Sequence, residues 1–203
     1  IDPKGTVEVD DGISVEVIPG RPNEVILHVH VADPSEFITE AIEGEAFRRA
    51  GSLYLPEVKV PMLPSIITNM STLKYNDTDD ITTKAPKSTL TFTCRVDLTN
   101  GSIHDHQIRR GLIRNLKHLT YEEADGLEGT VPQLQLIKRV YEAHLKHRQA
   151  NGHVIFSFPK GSPFLDRENK RIIVDLHDSV GFMKEAVAEV MIIAGRIVGE
   201  YLV

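Results

Sequence analysis

The chain has 203 residues, 41% of them hydrophobic, and a formal net charge of −6, which is enough apolar material for a real core and excludes a disordered chain. No apolar run reaches the roughly 18 residues that a membrane helix needs. Cys94 is alone, so there is no internal disulfide framework, and a lone thiol suits a reducing compartment. The acidic balance argues at first sight against a nucleic-acid partner, because phosphate affinity comes from clustered Lys and Arg. Placement counts for more than the sum: acids crowd residues 2–16 and 76–80, whereas Arg48, Arg49 and the stretch 108–118 hold a local basic surplus. By itself that surplus reads as a solvated face. The chain opens on Ile1 with strand-like alternation within ten residues, so it reads as the ordered part, or a fragment, of a longer polypeptide whose targeting signals are not legible.

In chain order, residues 6–18 alternate apolar with polar on either side of Asp10-Asp11-Gly12, and this predicts a hairpin turning at those acids. Residues 23–33 form a third strand, apolar enough to be central in a sheet. The stretch 34–51 reads as a helix starting at a Ser35 cap or later and closed by Gly51. Three prolines within 52–64 predict an extended strap. After a polar loop around 74–88, a second hairpin turns at Asn100-Gly101. Thr120 followed by Glu123 is a capping box opening a short helix, and 133–152 is an amphipathic helix stopping at Gly152. A strand pair, 153–159 with 171–176, leads to a final apolar helix from Phe182. The class is α+β, with no internal repeat and no obvious linker.

Asp2, Glu8, Asp10 and Asp11 are four carboxylates within ten residues. In the hairpin reading Glu8 and Asp10 share a strand face, Asp11 lies past the bend, and Asp2 folds back across the Pro3-Lys4-Gly5 turn. Like carboxylates held close raise one another's pKa, so the cluster is costly unless a cation neutralises it. Oxygen-only ligands suit Mg²⁺ or Mn²⁺; the calcium-loop spacing fails, and no Cys or His spacing matches a zinc site. Carboxylate-bound Mg²⁺ is apparatus for phosphoryl chemistry.

"IDPKGTVEVDDGISVE" resembles the signature of the RNB catalytic domain of the ribonuclease II and ribonuclease R family: an acid, five residues, an acid, one residue, two aspartates. The chain follows that family further, in order, through "LHVHVADPSEFI", "GEAFRRAGSLYLPEVKVPMLP", "IRNLKHLTYEEAD" and "AEVMIIAG". The resemblance implies an RNB α+β fold and a 3′→5′ hydrolytic exoribonuclease releasing nucleoside 5′-monophosphates from single-stranded RNA. It assigns Asp2, Glu8, Asp10 and Asp11 to Mg²⁺ at the scissile phosphate, Tyr54 and Phe156 to a base clamp, and Tyr121 to the ribose 2′-hydroxyl, roles that suit single-stranded RNA. Arg49 is placed as a phosphate contact, or as a cover for apolar surface. Glu189 is placed as a support in the last helix. His28 and His30 read as packed strand residues without a third ligand.

Glu8 stands where many members carry aspartate, a choice that organellar and cyanobacterial members share. The resemblance places residues 1–203 in the N-terminal and central part of the catalytic domain, without flanking OB-type domains or the C-terminal half with its catalytic arginine. It implies little activity in this chain alone. Two readings stand: an exoribonuclease of an organelle matrix, mitochondrion or plastid, or of a bacterial cytoplasm; or a catalytically inactive RNA-binding scaffold. A helicase or other subunits of a large RNA-processing complex are partners for either.

Overall fold

In the computed structural model of this chain, residues 1–55, 58–75, 85–155, 160–166, 168–177 and 181–202 are described. The elements, in order, are strands β1 (Asp11–Val17) and β2 (Glu24–Ala32), helix α1 (Glu40–Arg49), strands β3 (Leu53–Tyr54) and β4 (Lys59–Val60), helix α2 (Ser65–Ser71), strands β5 (Lys87–Asp97) and β6 (Ile103–Ile113), helices α3 (Tyr121–Leu127) and α4 (Pro132–Ala150), strands β7 (Lys160–Asp166) and β8 (Arg171–His177), and helix α5 (Phe182–Tyr201). The expected α+β class holds. Two compact units result: one comprises Ile1–Asp33, Ser71–Val154 and Gly181–Val203, the other Pro34–Met70 and Ile155–Val180.

The first unit is built on a four-stranded antiparallel sheet in the order β1-β2-β5-β6. Strand alternation sends Val25, Leu27 and Val29 of β2, with Phe92, Cys94 and Val96 of β5, to one face, where all are buried. Helices α3, α4 and α5 contribute to that core through Ala124, through Leu134, Ile137 and Val140, and through Met183, Ala186, Val190, Ile193 and Ile197. The three- and four-residue spacing of the last set is the apolar stripe of a core-facing helix. Cys94 belongs to this core, and burial pushes its thiol up to about 12, which leaves it unreactive.

On the opposite face the β2 residues are His28 and His30. Their rings stack with centroids 5.9 Å apart, and their Nδ1 atoms hydrogen-bond Thr93 Oγ1 and Thr91 Oγ1, each at 2.9 Å. Ser14 Oγ meets His30 Nε2 at 2.8 Å. Burial, then the neighbouring His28, lowers His30 to about 4, so its ring is neutral at pH 7. The pair is a packed strand feature, as the sequence suggested.

The second unit holds α1, α2 and two antiparallel hairpins, β3-β4 and β7-β8. Arg49, the last residue of α1, donates to Glu45 at 2.8 Å and to the Pro61 carbonyl at 2.9 Å. It therefore fastens the proline-rich strap to the helix.

Several boundaries differ from expectation. Asp10-Asp11-Gly12 is not a turn: Asp11 starts the continuous strand β1, and the bend lies at Ile18–Arg21, where Gly20 has φ 76° and Arg21 N–H donates to Ile18 O at 3.0 Å. Val9, just before Asp10, pairs elsewhere. Leu73 N–H donates to Val9 O at 2.8 Å and Val9 N–H to Thr72 Oγ1 at 2.9 Å, a distant partner that overrides local turn chemistry. Ser35 lies in a single 3-10 turn, Pro34–Phe37; α1 begins after Thr39 and is capped by Ala50 at φ 60°, one residue before Gly51. Of the strand expected at 153–159, residues 153–155 are not strand, His153 N–H instead donating to Arg148 O at 3.0 Å, and 156–159 lie outside the described residues; β8 pairs with β7, Lys160–Asp166.

Candidate active site

The first unit gathers most of the acids. Residues 1–2 run beside 119–120 in a parallel bridge, with Asp2 N–H donating to Leu119 O at 3.1 Å. The turn that folds Asp2 back is present: Gly5 has φ 86° and Thr6 N–H donates to Pro3 O at 3.2 Å. The bridge ends at Thr120, whose side chain accepts from Glu123 N–H at 3.2 Å while the Glu123 carboxylate accepts from Thr120 N–H at 2.7 Å. This is the capping box read from the sequence, and it fixes Tyr121 as the first residue of α3, next to Asp2.

Asp11 enters from the start of β1. Burial pushes its carboxyl up, and the charges of Asp2 and Asp10 reinforce the shift. Tyr121 is raised as well, by burial first and then by Asp2 and Asp11. These shifts identify Asp2, Asp10, Asp11 and Tyr121 as one electrostatic neighbourhood. Asp10 is exposed and its backbone carbonyl accepts from Ala32 N–H at 2.8 Å, extending the β1-β2 ladder. Glu8 is half-buried; it and Asp10 flank Val9, which is buried and pinned to residues 72–73.

The buried oxygens Asp2 Oδ2 and Asp11 Oδ2 have no hydrogen-bond partner. His118 Nε2 lies 3.3 Å from Asp2 Oδ2, without hydrogen-bond geometry. Orphaned, desolvated carboxylate oxygens are costly unless a cation meets them, and their all-oxygen chemistry fits Mg²⁺ or Mn²⁺. Among the described residues no group of three His, Cys, Asp or Glu side chains is arranged to hold a metal ion. The fit is therefore to an ion held by one or two carboxylates with its remaining sites left to water and phosphate, as Mg²⁺ prefers.

A cleft of about 780 Å³ opens beside Asp11, between β1, residues 113–119 and the first turns of α4. Lys74, Arg114 and Lys117 line it together with Asp11 and His118. Neither these cations nor His118 stood out as site residues in the sequence; the basic surplus of 108–118 was the only signal for Arg114, Lys117 and His118, and Lys74 gave none.

The other expected residues fall elsewhere. Tyr54 lies on β3 in the second unit, 70% exposed, with Lys59 Nζ 5.3 Å from its ring centroid; it fills no core gap. Arg49 is the strap fastener described above. Phe156 lies outside the described residues. Glu189 is buried in α5 and accepts from His144 Nδ1 and Arg148, each at 2.6 Å. Burial works to raise it, yet these two hydrogen bonds and charges together hold its carboxyl below the ordinary range. Its role is to tie α4 to α5. Among the described residues no helix is long and apolar enough to cross a membrane.

An antiparallel sheet backed by three helices carries this acid neighbourhood and its capped tyrosine. The RNB domain model matches residues 1–203, and the chain belongs to the RNB family. It is 30% identical to the mitochondrial exoribonuclease II of Saccharomyces cerevisiae, over 99% of this chain and 23% of that protein. The structure of an active-site mutant of the Dss1 exoribonuclease from Candida glabrata superposes with a TM-score of 0.82 at 26% identity, over 99% of this chain and 29% of that one. RNase R of Mycoplasma genitalium, solved in complex with ribose-methylated single-stranded RNA, shares the fold: TM-score 0.79, 19% identity, 95% of this chain and 30% of that one. The chain thus spans about a quarter to a third of the length of these relatives.

Proposed function

We propose that the protein containing this chain is a 3′→5′ hydrolytic exoribonuclease that degrades single-stranded RNA to nucleoside 5′-monophosphates with Mg²⁺ or Mn²⁺. The observation that carries the reading is the pair of buried, unpartnered oxygens on Asp2 and Asp11, set in one electrostatic neighbourhood with Asp10 and Tyr121. A divalent ion would be held there by Asp2 and Asp11, with Asp10 and Glu8 as the adjoining acids, and would activate water and neutralise charge on the phosphate. Tyr121, raised above the ordinary phenol range, keeps its proton and donates to a ribose 2′-hydroxyl, the group that separates RNA from DNA. The exposed ring of Tyr54 offers a stacking face for a base, and Phe156 is its proposed companion. Arg49 stays a phosphate-contact proposal, though two of its donors already serve Glu45 and Pro61. The RNA complex of RNase R from Mycoplasma genitalium supports single-stranded RNA as the ligand. The mitochondrial name of the yeast relative supports an organelle matrix, with a helicase or other RNA-processing subunits as partners.

The test is degradation of 5′-labelled single-stranded RNA with Mg²⁺ by the full-length protein. Asp10→Asn and Asp11→Asn should each slow it by about a hundredfold or more and leave RNA binding intact. Equal rates remove the metal role. One observation favours the scaffold reading, namely that no three-ligand group is formed among the described residues. Tight RNA binding without cleavage at any divalent ion concentration would establish it.

A further inference from the structure

Another cavity lies in the same unit, far from the acids. It has a volume of about 490 Å³ and is lined by His147, Arg148, Asn151, Gly152, His153 and Arg196. The sheet sets its distance. Strand β5 pairs at Thr89 with Ala32, whose N–H meets the Asp10 carbonyl, and it ends at Asp97, next to the Asn100 turn that holds His147. At about 3.3 Å per residue, that length of β5 puts roughly 25 Å between the acids and this cavity.

Its lining holds two arginines and two histidines and no carboxylate, in a chain whose net charge is −6. Each basic group is oriented by a named partner. His147 Nδ1 donates to Asn100 O at 3.0 Å, which leaves Nε2 for another contact. Arg148 Nη1 donates to Glu189 at 2.6 Å, and Nη2 lies 2.9 and 2.7 Å from the two ring nitrogens of His153. His153 is brought back over the helix end by Gly152 at φ 87° and by its own N–H, which donates to the Arg148 carbonyl. Arg196 arrives from α5 and commits Nε to Glu200 at 2.8 Å; its two terminal amines have no partner among the described residues. Cations at a helix C-terminus complement the dipole, and that accounts for His147 and Arg148 at the end of α4. It does not account for Arg196, which stands more than a turn before the end of α5 and lines the same cavity.

We infer that this cavity is a phosphate-binding site remote from the acids, with the Arg148 and Arg196 guanidinium groups on the anion and the two imidazoles beside them. Guanidinium donors match phosphate oxygens in geometry and charge, and the partners that already hold Arg148 and His153 lower the ordering cost of binding. Two sources supply the phosphate. One is a free anion, inorganic phosphate or a mononucleotide. The other is a backbone phosphate of an RNA strand whose upstream part lies along this end of the sheet. Only the second source rests on the nuclease reading.

The experiment uses full-length protein carrying Asp10→Asn, which keeps RNA intact during titration, and compares it with the same protein also carrying Arg196→Gln or His153→Glu, both at exposed positions. The probes are inorganic phosphate, AMP and single-stranded RNA of increasing length, followed by calorimetry across a salt series. If a free anion is the ligand, the parent binds inorganic phosphate, and Arg196→Gln weakens it by about tenfold or more, the loss of one charge-assisted contact. If RNA is the ligand, inorganic phosphate binds neither protein. The slope of log K against log salt for long RNA then falls by about 0.7 for the removed cation, while RNA too short to leave the acid cleft is unaffected. Arg196→Lys keeps the charge and should keep the slope. His153→Glu sets a carboxylate against Arg148 and should abolish binding from either source, which decides the matter if Arg196→Gln lowers the melting temperature; binding retained there overturns the site. Unchanged affinity for every probe, with unchanged melting temperatures, overturns it as well. So does polyglutamate that competes as well as RNA, because the cavity would then take an acidic protein segment. Wild-type protein that cuts no RNA yet binds inorganic phosphate through Arg196 overturns the nuclease reading instead and keeps the site.

Discussion

Replacing Glu189 with alanine should cost about 3–5 kcal/mol. The carboxylate is 4% exposed and receives two donors at 2.6 Å, His144 Nδ1 and the Arg148 guanidinium. Truncation strands both on the α4–α5 seam, and His144 is fully buried; removing one partner of a buried pair costs about that much because the other charge stays desolvated. Glu189→Gln retains one acceptor and should cost about 1–3 kcal/mol. With a urea slope of about 2 kcal/mol per molar, the alanine variant should unfold roughly 2 M earlier at an unchanged slope. Tyrosine fluorescence suits the assay, because Tyr141 lies on this seam, bonded to Glu185 at 2.7 Å and edge-on to Phe182 at 5.0 Å. The folded carboxyl titrates below its ordinary value, so the stabilisation is present above pH 4.5 and is lost as pH falls through the folded pKa. The deficit of Glu189→Gln should close over that acid range. A loss below about 1 kcal/mol, or no coupling between Glu189→Ala and Arg148→Ala in a double-mutant cycle, would refute the tie.

Gly101→Ala should cost at least about 2 kcal/mol and lower the melting temperature by roughly 4–8 °C, because Gly101 has φ 73° and an added Cβ would lie 2.1 Å from the Ala143 carbonyl on α4. His30 is neutral in the fold to about pH 4, whereas the unfolded ring takes up a proton near pH 6.5. Stability should therefore fall as pH drops between those values, by about 1–2 kcal/mol once the full shift is discounted for solvent exposure. Urea titrations at pH 7 and pH 4.5 measure the slope, and His30→Gln should flatten it.

How much of this was legible in the sequence depended on where each residue's partners lie. The Asn100-Gly101 hairpin, the Thr120 and Glu123 box, the amphipathic helix at 133–152 and the apolar helix from Phe182 follow local patterns, and all appear close to where expected. Residues 6–10 alternate like a strand and are followed by good turn residues, but Val9 at their centre hydrogen-bonds Thr72 and Leu73, some sixty residues on, which no local pattern reveals. His153–Ile155 alternates like a strand too, but the His153 N–H is taken by the Arg148 carbonyl at the end of α4. The acids were legible as a cluster because they are close in sequence. Which of them share a field was not, because that depends on Asp2 crossing to Leu119 and Thr120. His118 gave no sign of itself for the same reason.

That crossing has a consequence for biosynthesis. Asp2 leaves the ribosome long before Thr120 does, and the bridge between them exists only once both are out and α3 has been capped. A nascent chain therefore carries Asp2 apart from Thr120 and Tyr121, and the bridge that joins them forms only when more than half of this segment has emerged and folded.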